Sequence, residues 1–252
     1  MAVVDSTAKT AGHVGPGTAT IPPGQGIYQS NATPTVRIGD RIQVGSRVFH
    51  YGRVIADTNR GVLVGPDLSV NGMVSSDGGV TAAAAGATSV TITEAVLSAI
   101  TADAFAGGTL HTTDDAGEGY AYGIRSNTAA AANAVTLTLY DPLVEAITTA
   151  TDAAIYGNPY NNLKIVDSTD VVPSGVLPIT VDTSEESYVW IQTWGPCTVL
   201  DSGGLAAGEV LVTSSAGNAI VMSVFTAPII GHCLQDGSAS GGHATVWLQL
   251  AP

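Results

Sequence analysis

Glycine and proline cut this chain into short pieces, and the pieces alternate. In the run "AVTLTLYDPL" (134–143), Val135, Leu137 and Leu139 alternate with Thr136, Thr138 and Tyr140, and the run stops at Asp141-Pro142. A period of two puts every second side chain on one face, as in a half-buried strand. A helix face needs a period of 3.6. The same pattern recurs along the chain. It predicts strands near 36–38, 42–44, 48–51, 89–93, 109–112 and 119–125, and within 134–143. Further strands are expected at 187–194, 197–200, 209–213, 218–222, 227–234 and 244–250. Gly39-Asp40, Gly65-Pro66-Asp67 and Asn71-Gly72 read as turns between strands. Helix is expected only as a short turn around Ala102–Phe105, because glycines flank the Ala82–Ala85 run on both sides. Short strands at nearly even spacing, without alternating long helices, point to an all-β fold of sandwich-like or barrel-like modules. Composition agrees. Only 12% of residues are charged and 6% aromatic, so the core must rest on small and β-branched side chains, which suit pleated surfaces.

Three segments follow from this reading. Residues 1–34 are rich in Gly, Pro and Thr, show no helical period and read as an extended N-terminal arm. Two readings of it stand side by side: a flexible terminus, or an arm that clamps a neighbouring subunit. Residues 35–170 read as a β-rich module with a short helical insert, and 171–252 as a second β-barrel or sandwich module. The boundary is placed near 168–178, where "VVPSGVLPITV" carries two prolines and a glycine.

Charge narrows the partners. The net charge is −13, with eight Lys+Arg against 21 Asp+Glu, and no Lys or Arg follows Lys164. Nucleic-acid binding needs a basic stripe to displace counterions, and anionic membrane surfaces need the same, so neither is expected as a partner. Residues 1–30 hold no apolar signal core, and no run approaches the length of a membrane span. The expectation is a chain made and kept soluble in the cytoplasm. Cys197 and Cys233 are then expected as free, buried, inert thiols, with a disulfide between them as the alternative.

The stretch "SYVWIQTWGPC" (187–197) resembles a dithiol redox loop only superficially. Position 195 is Gly, and no second cysteine lies nearby to resolve a mixed disulfide. Gly231-His232-Cys233 puts a histidine beside the other cysteine, but strand neighbours point to opposite faces. Tyr188, Trp190, Gln192 and Trp194 share one face, suited either to a core or to an intersubunit contact, and Gly195-Pro196 is read as the turn that follows. The acidic segment 114–118 lacks the spacing of a calcium loop and reads as a solvated hairpin turn. His13, His50, His111, His232 and His243 show no metal-ligand spacing, and His243 is placed in a loop. No catalytic, cofactor or metal residue is assigned, no cofactor is expected, and the chain is expected not to be an enzyme.

A resemblance adds to this. "RVFHYGRV" (47–54) and "GEGYAYGIRSNTAA…VTLTLYDPL…NPY" (117–160) are similar to patterns in small structural proteins of tailed bacteriophages, especially marine and cyanobacterial ones. So is the C-terminal run "SGVLPITV…YVWIQTWGPCTVL…GEVLVTSSAGNAIVM…PIIGHCLQDG…GHATVWLQL". It resembles a phage decoration module whose barrel ends with a G-x-A-x-x-x-G segment, although in Gly231–Gly237 the alanine is replaced by Cys233. The resemblance spans most of residues 36–252 and leaves out the arm. It implies a capsid decoration (cement) protein on the outer surface of the virion head. The implied partners are the major capsid protein and further copies of the chain in a homotrimer. A head or tail fibre protein binding a host receptor or glycan is the alternative, and a hydrolase of a cell-surface polymer a third reading.

Overall fold

The computed structural model describes residues 25–67, 74–76, 79–166, 172–185, 187–214, 216–223, 228–237 and 241–252. Most of the arm, residues 1–24, lies outside the described residues. The strands of the first stretch are β1 (Ser30–Asn31), β2 (Arg41–Val44), β3 (Arg47–Arg53) and β4 (Leu63–Pro66). Then come β5 (Val74–Ser76), β6 (Ser89–Thr93), β7 (Thr109–Asp114), β8 (Ala121–Asn127), β9 (Ala134–Leu139) and β10 (Asp152–Tyr156). The last stretch holds β11 (Leu163–Ile165), β12 (Gly175–Val176), β13 (Tyr188–Leu200), β14 (Val210–Thr213), β15 (Ala219–Val221), β16 (Ile229–Gln235) and β17 (His243–Gln249). The fold is all-β, and every pairing between these strands is antiparallel.

The chain divides differently from the sequence reading. One unit takes the chain up to Pro66 and again from Tyr160; the other is the insertion Asp67–Pro159. The boundary expected at 168–178 falls inside the first unit. There β12 pairs Gly175 with Val64, and Val176 with both Leu63 and Gln192. Its glycine serves close packing: a Cβ at Gly175 would lie 2.8 Å from Ile191 Cδ1 and 2.9 Å from the Gln192 carbonyl oxygen. Pro and Gly signalled a linker, but Gly175 and Val176 bridge β4 and β13.

The first unit is organised around β13, which pairs with β1, β3, β12 and β17. Its two expected strands, 187–194 and 197–200, are one strand, and Gly195-Pro196 is not a turn. Gly195 sits at φ +85°, in contact range of the β2–β3 turn, where a Cβ would collide with the Ser46 carbonyl oxygen. The register against β3 shifts between Gln192 and Trp194, which makes Thr193 a bulged residue. The bulge is tied down. The Thr193 carbonyl accepts from the N–H groups of Leu250 (3.0 Å) and Ala251 (3.2 Å), and its hydroxyl donates to the Ala251 carbonyl (2.7 Å).

From Val189 to Thr193 both faces of β13 are covered. Val189 and Ile191 pack with Val54, Val64, Leu163, Leu177 and Val181. Trp190, 1% exposed, packs with Ile27, Ile42, Phe49 and Tyr51. The choice between core and intersubunit contact is settled for Trp190: it fills its own core. Trp194 and Tyr188 are half-buried.

Residues 25–34 do not behave as an arm. Ile27 is part of the Trp190 cluster, and β1 pairs with β13. Gln25 is 3% exposed and its amide is a hub. Its oxygen accepts from Tyr51 Oη (2.6 Å), Asn31 Nδ2 (2.9 Å) and Thr35 Oγ1 (3.1 Å). Its nitrogen donates to the carbonyls of Gln29 and Tyr188, both at 2.8 Å. The Trp190 indole N–H donates to the Gln25 carbonyl at 3.3 Å.

In the insertion unit the strand order is β5-β10-β7-β8-β9-β6. Alternation holds: Val135, Leu137 and Leu139 of β9 join Val90 and Ile92 of β6 in one core, while Thr91 and Thr136 meet through their hydroxyls at 2.9 Å on the other face. The helical turn expected at Ala102–Phe105 is a run of turns. Asp103 has φ +60°, which no right-handed helix admits, and the Phe105 N–H bonds Asn127 Oδ1 at 2.8 Å instead of a helical carbonyl. A 3₁₀ turn forms nearby at Ala95–Leu97. The segment 114–118 is a hairpin turn as expected, with Asp114, Asp115 and Glu118 exposed and Gly117 buried: Asp114 and Asp115 accept bonds from the next N–H in the turn, each at 2.8 Å.

Candidate functional site

The first unit carries a pocket of about 430 Å³ against the Gly195 bend of β13. Arg47, at the start of β3, and Arg60, in the turn before β4, both line it. Arg47 donates to Tyr28 Oη at 3.0 Å and stands 5.4 Å from the centre of the Phe49 ring, a cation–π distance. These contacts hold the guanidinium without neutralising it. The Arg60 backbone N–H bonds Thr180 Oγ1 at 3.4 Å, and no carboxylate among the described residues pairs with either arginine.

The floor is rigid. Gln192 is buried and its amide donates to the carbonyls of Trp194 (3.1 Å) and Pro196 (2.7 Å), which braces the chain on both sides of Gly195. Cys197 also lines the floor. Burial pushes its thiol up to about 12, and the Thr198 backbone and the positive Arg47 lower it only in part. The sulfur is therefore protonated at neutral pH and is no thiolate nucleophile. His243 is the first residue of β17, not a loop residue. Its ring packs on Gly61, where a Cβ would lie 2.8 Å from His243 Nε2.

The other sequence candidates stand apart from this pocket. Cys233 is a second free, buried thiol in the same hydrophobic cluster as Cys197. Burial raises its pKa, the Gln235 backbone lowers it in part, and the neighbouring carboxylates Asp236, Asp201 and Glu209 add to the rise. His232 is half-exposed beside it, on the opposite face of β16. His111 bonds Thr109 Oγ1 at 2.9 Å in the insertion unit, and His13 lies outside the described residues. Among the described residues no three His, Cys, Asp or Glu side chains gather as a metal site. Asp201 is fully buried; Oδ1 accepts the Gly203 N–H at 2.6 Å, and Oδ2 has no partner among the described residues.

His50 is a buried histidine of the unit. It stacks on Tyr160 (centroids 4.4 Å apart, planes 4° apart) and its Nδ1 bonds Thr193 Oγ1 at 3.1 Å. Burial, with a smaller contribution from Arg41, lowers its pKa from 6.5 to about 4. The unfolded chain then binds the proton first as the pH falls. Stability contributed by the neutral ring is whole above about 6.5 and is lost as the pH drops towards 4, by roughly 2 kcal/mol once water's screening is discounted. Denaturant titrations of the protein and of His50→Gln at pH 7.5 and 4.5 measure this. The variant is expected to be less stable at pH 7.5 and to close the gap at pH 4.5; a gap independent of pH contradicts the assignment.

Sequence reasoning missed the pocket because its two arginines looked scattered; only strand pairing brings Arg47, Arg60 and His243 to one wall. No family model, no curated protein and no solved structure matches the chain.

Proposed function

We propose that the chain is a structural virion protein, a capsid decoration (cement) protein. It binds the outer surface of a phage head where major capsid protein subunits meet, and it stabilises the shell as a homotrimer without catalysing a reaction. The resemblance of residues 47–54, 117–160 and the C-terminal run supports the phage setting. The observation that carries the mode of attachment is the Gln25 hub: it fixes one end of the Gly-, Pro- and Thr-rich segment 1–24 to the β-sheet body. A tether with a rigid root places its binding residues at high effective concentration beside the body's own contact, so two modest contacts multiply.

The root also divides the arm into two parts with different consequences when removed. Deleting residues 1–24 is expected to leave the melting temperature unchanged and to weaken co-sedimentation with capsid shells by about 100-fold. Deleting 1–34 also removes the Gln25 bonds and the buried Ile27, and is expected to destabilise the first unit by roughly 3 kcal/mol or more. Shells decorated equally well by the 1–24 deletion would remove the tether from the account.

A further inference from the structure

We propose that the pocket formed by Arg47, Arg60 and His243 binds an acidic monosaccharide unit, a pyranose ring bearing a carboxylate. Three features of the site select this chemistry. The first is charge. In a chain where 21 acidic residues face eight basic ones, two of the six arginines line a single pocket, and no described carboxylate pairs with either. Arginine presents a planar fork of donors that matches a carboxylate, so an anionic ligand completes what the protein leaves open. The surrounding negative charge repels anions at long range, so retention depends on contacts made inside the pocket.

The second feature is size. A cavity of about 430 Å³ is within the range of small-ligand sites and far larger than a bare oxyanion needs. The third is the walls. Tyr28 is 59% exposed, and its ring is held by the Arg47 bond at the pocket edge. Pro178 and Pro196 add flat apolar surface. Such surfaces suit the C–H face of a sugar ring, while the exposed hydroxyls of Thr198 and Thr245 and the His243 ring offer separate hydrogen-bonding groups for ring hydroxyls. The Gln192 brace keeps the floor in place before ligand arrives, so little ordering is required on binding.

The test uses the full chain and free sugars, so its outcome is independent of any capsid attachment. Glucuronate, glucose and inorganic phosphate are titrated separately, with binding followed by calorimetry and by amide chemical shifts. Glucuronate is expected to bind with a Kd of about 1 mM, and glucose and phosphate each about tenfold more weakly. The Arg60 side chain has no bonding partner among the described residues, so Arg60→Gln is expected to keep the melting temperature while weakening glucuronate about tenfold. Arg60→Lys should recover part of that loss. Glucose bound as tightly as glucuronate overturns the role of charge. Phosphate bound as tightly overturns the role of the ring. No glucuronate binding, or binding untouched by Arg60→Gln in a folded variant, overturns the site itself.

Discussion

Gly195→Ala is expected to destabilise the protein by about 3 kcal/mol or more, because two penalties act at one atom. The backbone sits at φ +85°, where a Cβ costs about 1 kcal/mol or more on its own. That Cβ would also collide with the Ser46 carbonyl oxygen and approach the Arg47 Cα at 3.2 Å, so the β2–β3 turn must move. Backbone cannot step aside as a flexible side chain does. Gly204 supplies the control: it has the same φ of +85°, and nothing lies within 4 Å of a Cβ built there. Gly204→Ala should therefore show the conformational penalty alone, about 1 kcal/mol. Denaturant midpoints of the two variants separate strain from collision. Equal losses would mean that the turn yields freely and that Gly195 is not a fixed point of the fold. The collision also predicts a local consequence, since displacing Ser46 and Arg47 disturbs one wall of the pocket.

Trp190→Ala is expected to cost about 3–5 kcal/mol, as for other large side chains removed from a core. Trp190 is 1% exposed and meets the Tyr51 ring edge-on at 5.0 Å. Its indole N–H bonds the Gln25 carbonyl, so the substitution opens a cavity and strips a donor from that carbonyl together. Trp194→Ala, four residues on, removes a half-buried ring and is expected to cost about 1 kcal/mol. Thermal and denaturant unfolding compare the two. A greater loss from Trp194 than from Trp190 would reverse the assignment of which tryptophan holds the core.

The contrast between these tryptophans shows what period two conveys. The alternation places Tyr188, Trp190 and Gln192 on one face, opposite Arg53, Tyr51 and Phe49, but the bulge at Thr193 shifts the pairing so that Trp194 stands opposite Val48 and leaves that face. Glycine signals misled in a related way. Positive φ at Gly195 and the close packing at Gly175 both leave glycine in the sequence, and each was read as a turn or linker. A glycine marks a place where a side chain does not fit; whether the chain reverses there depends on what lies opposite. At Gly195 that is the Ser46 carbonyl, and at Gly175 it is Ile191 and Gln192. By contrast, β6 at Ser89–Thr93 and the hairpin turn at 114–118 are settled by nearest neighbours, and both were legible. β10 was missed, although Ala153 and Ile155 alternate with half-buried neighbours, because alanine is a weak marker of a buried face.

By itself, then, the sequence determined the all-β class, the facing of most strands and the absence of a paired thiol at the WGPC stretch. These follow from alternation and spacing, which are local steric properties of the chain. Only the tertiary structure decided that 67–159 is an insertion, that residues 25–34 are rooted in the β13 sheet and that Arg47, Arg60 and His243 share a pocket. Those facts rest on backbone hydrogen bonds and buried contacts between residues far apart in the chain. No local period encodes which distant strand will satisfy a given edge.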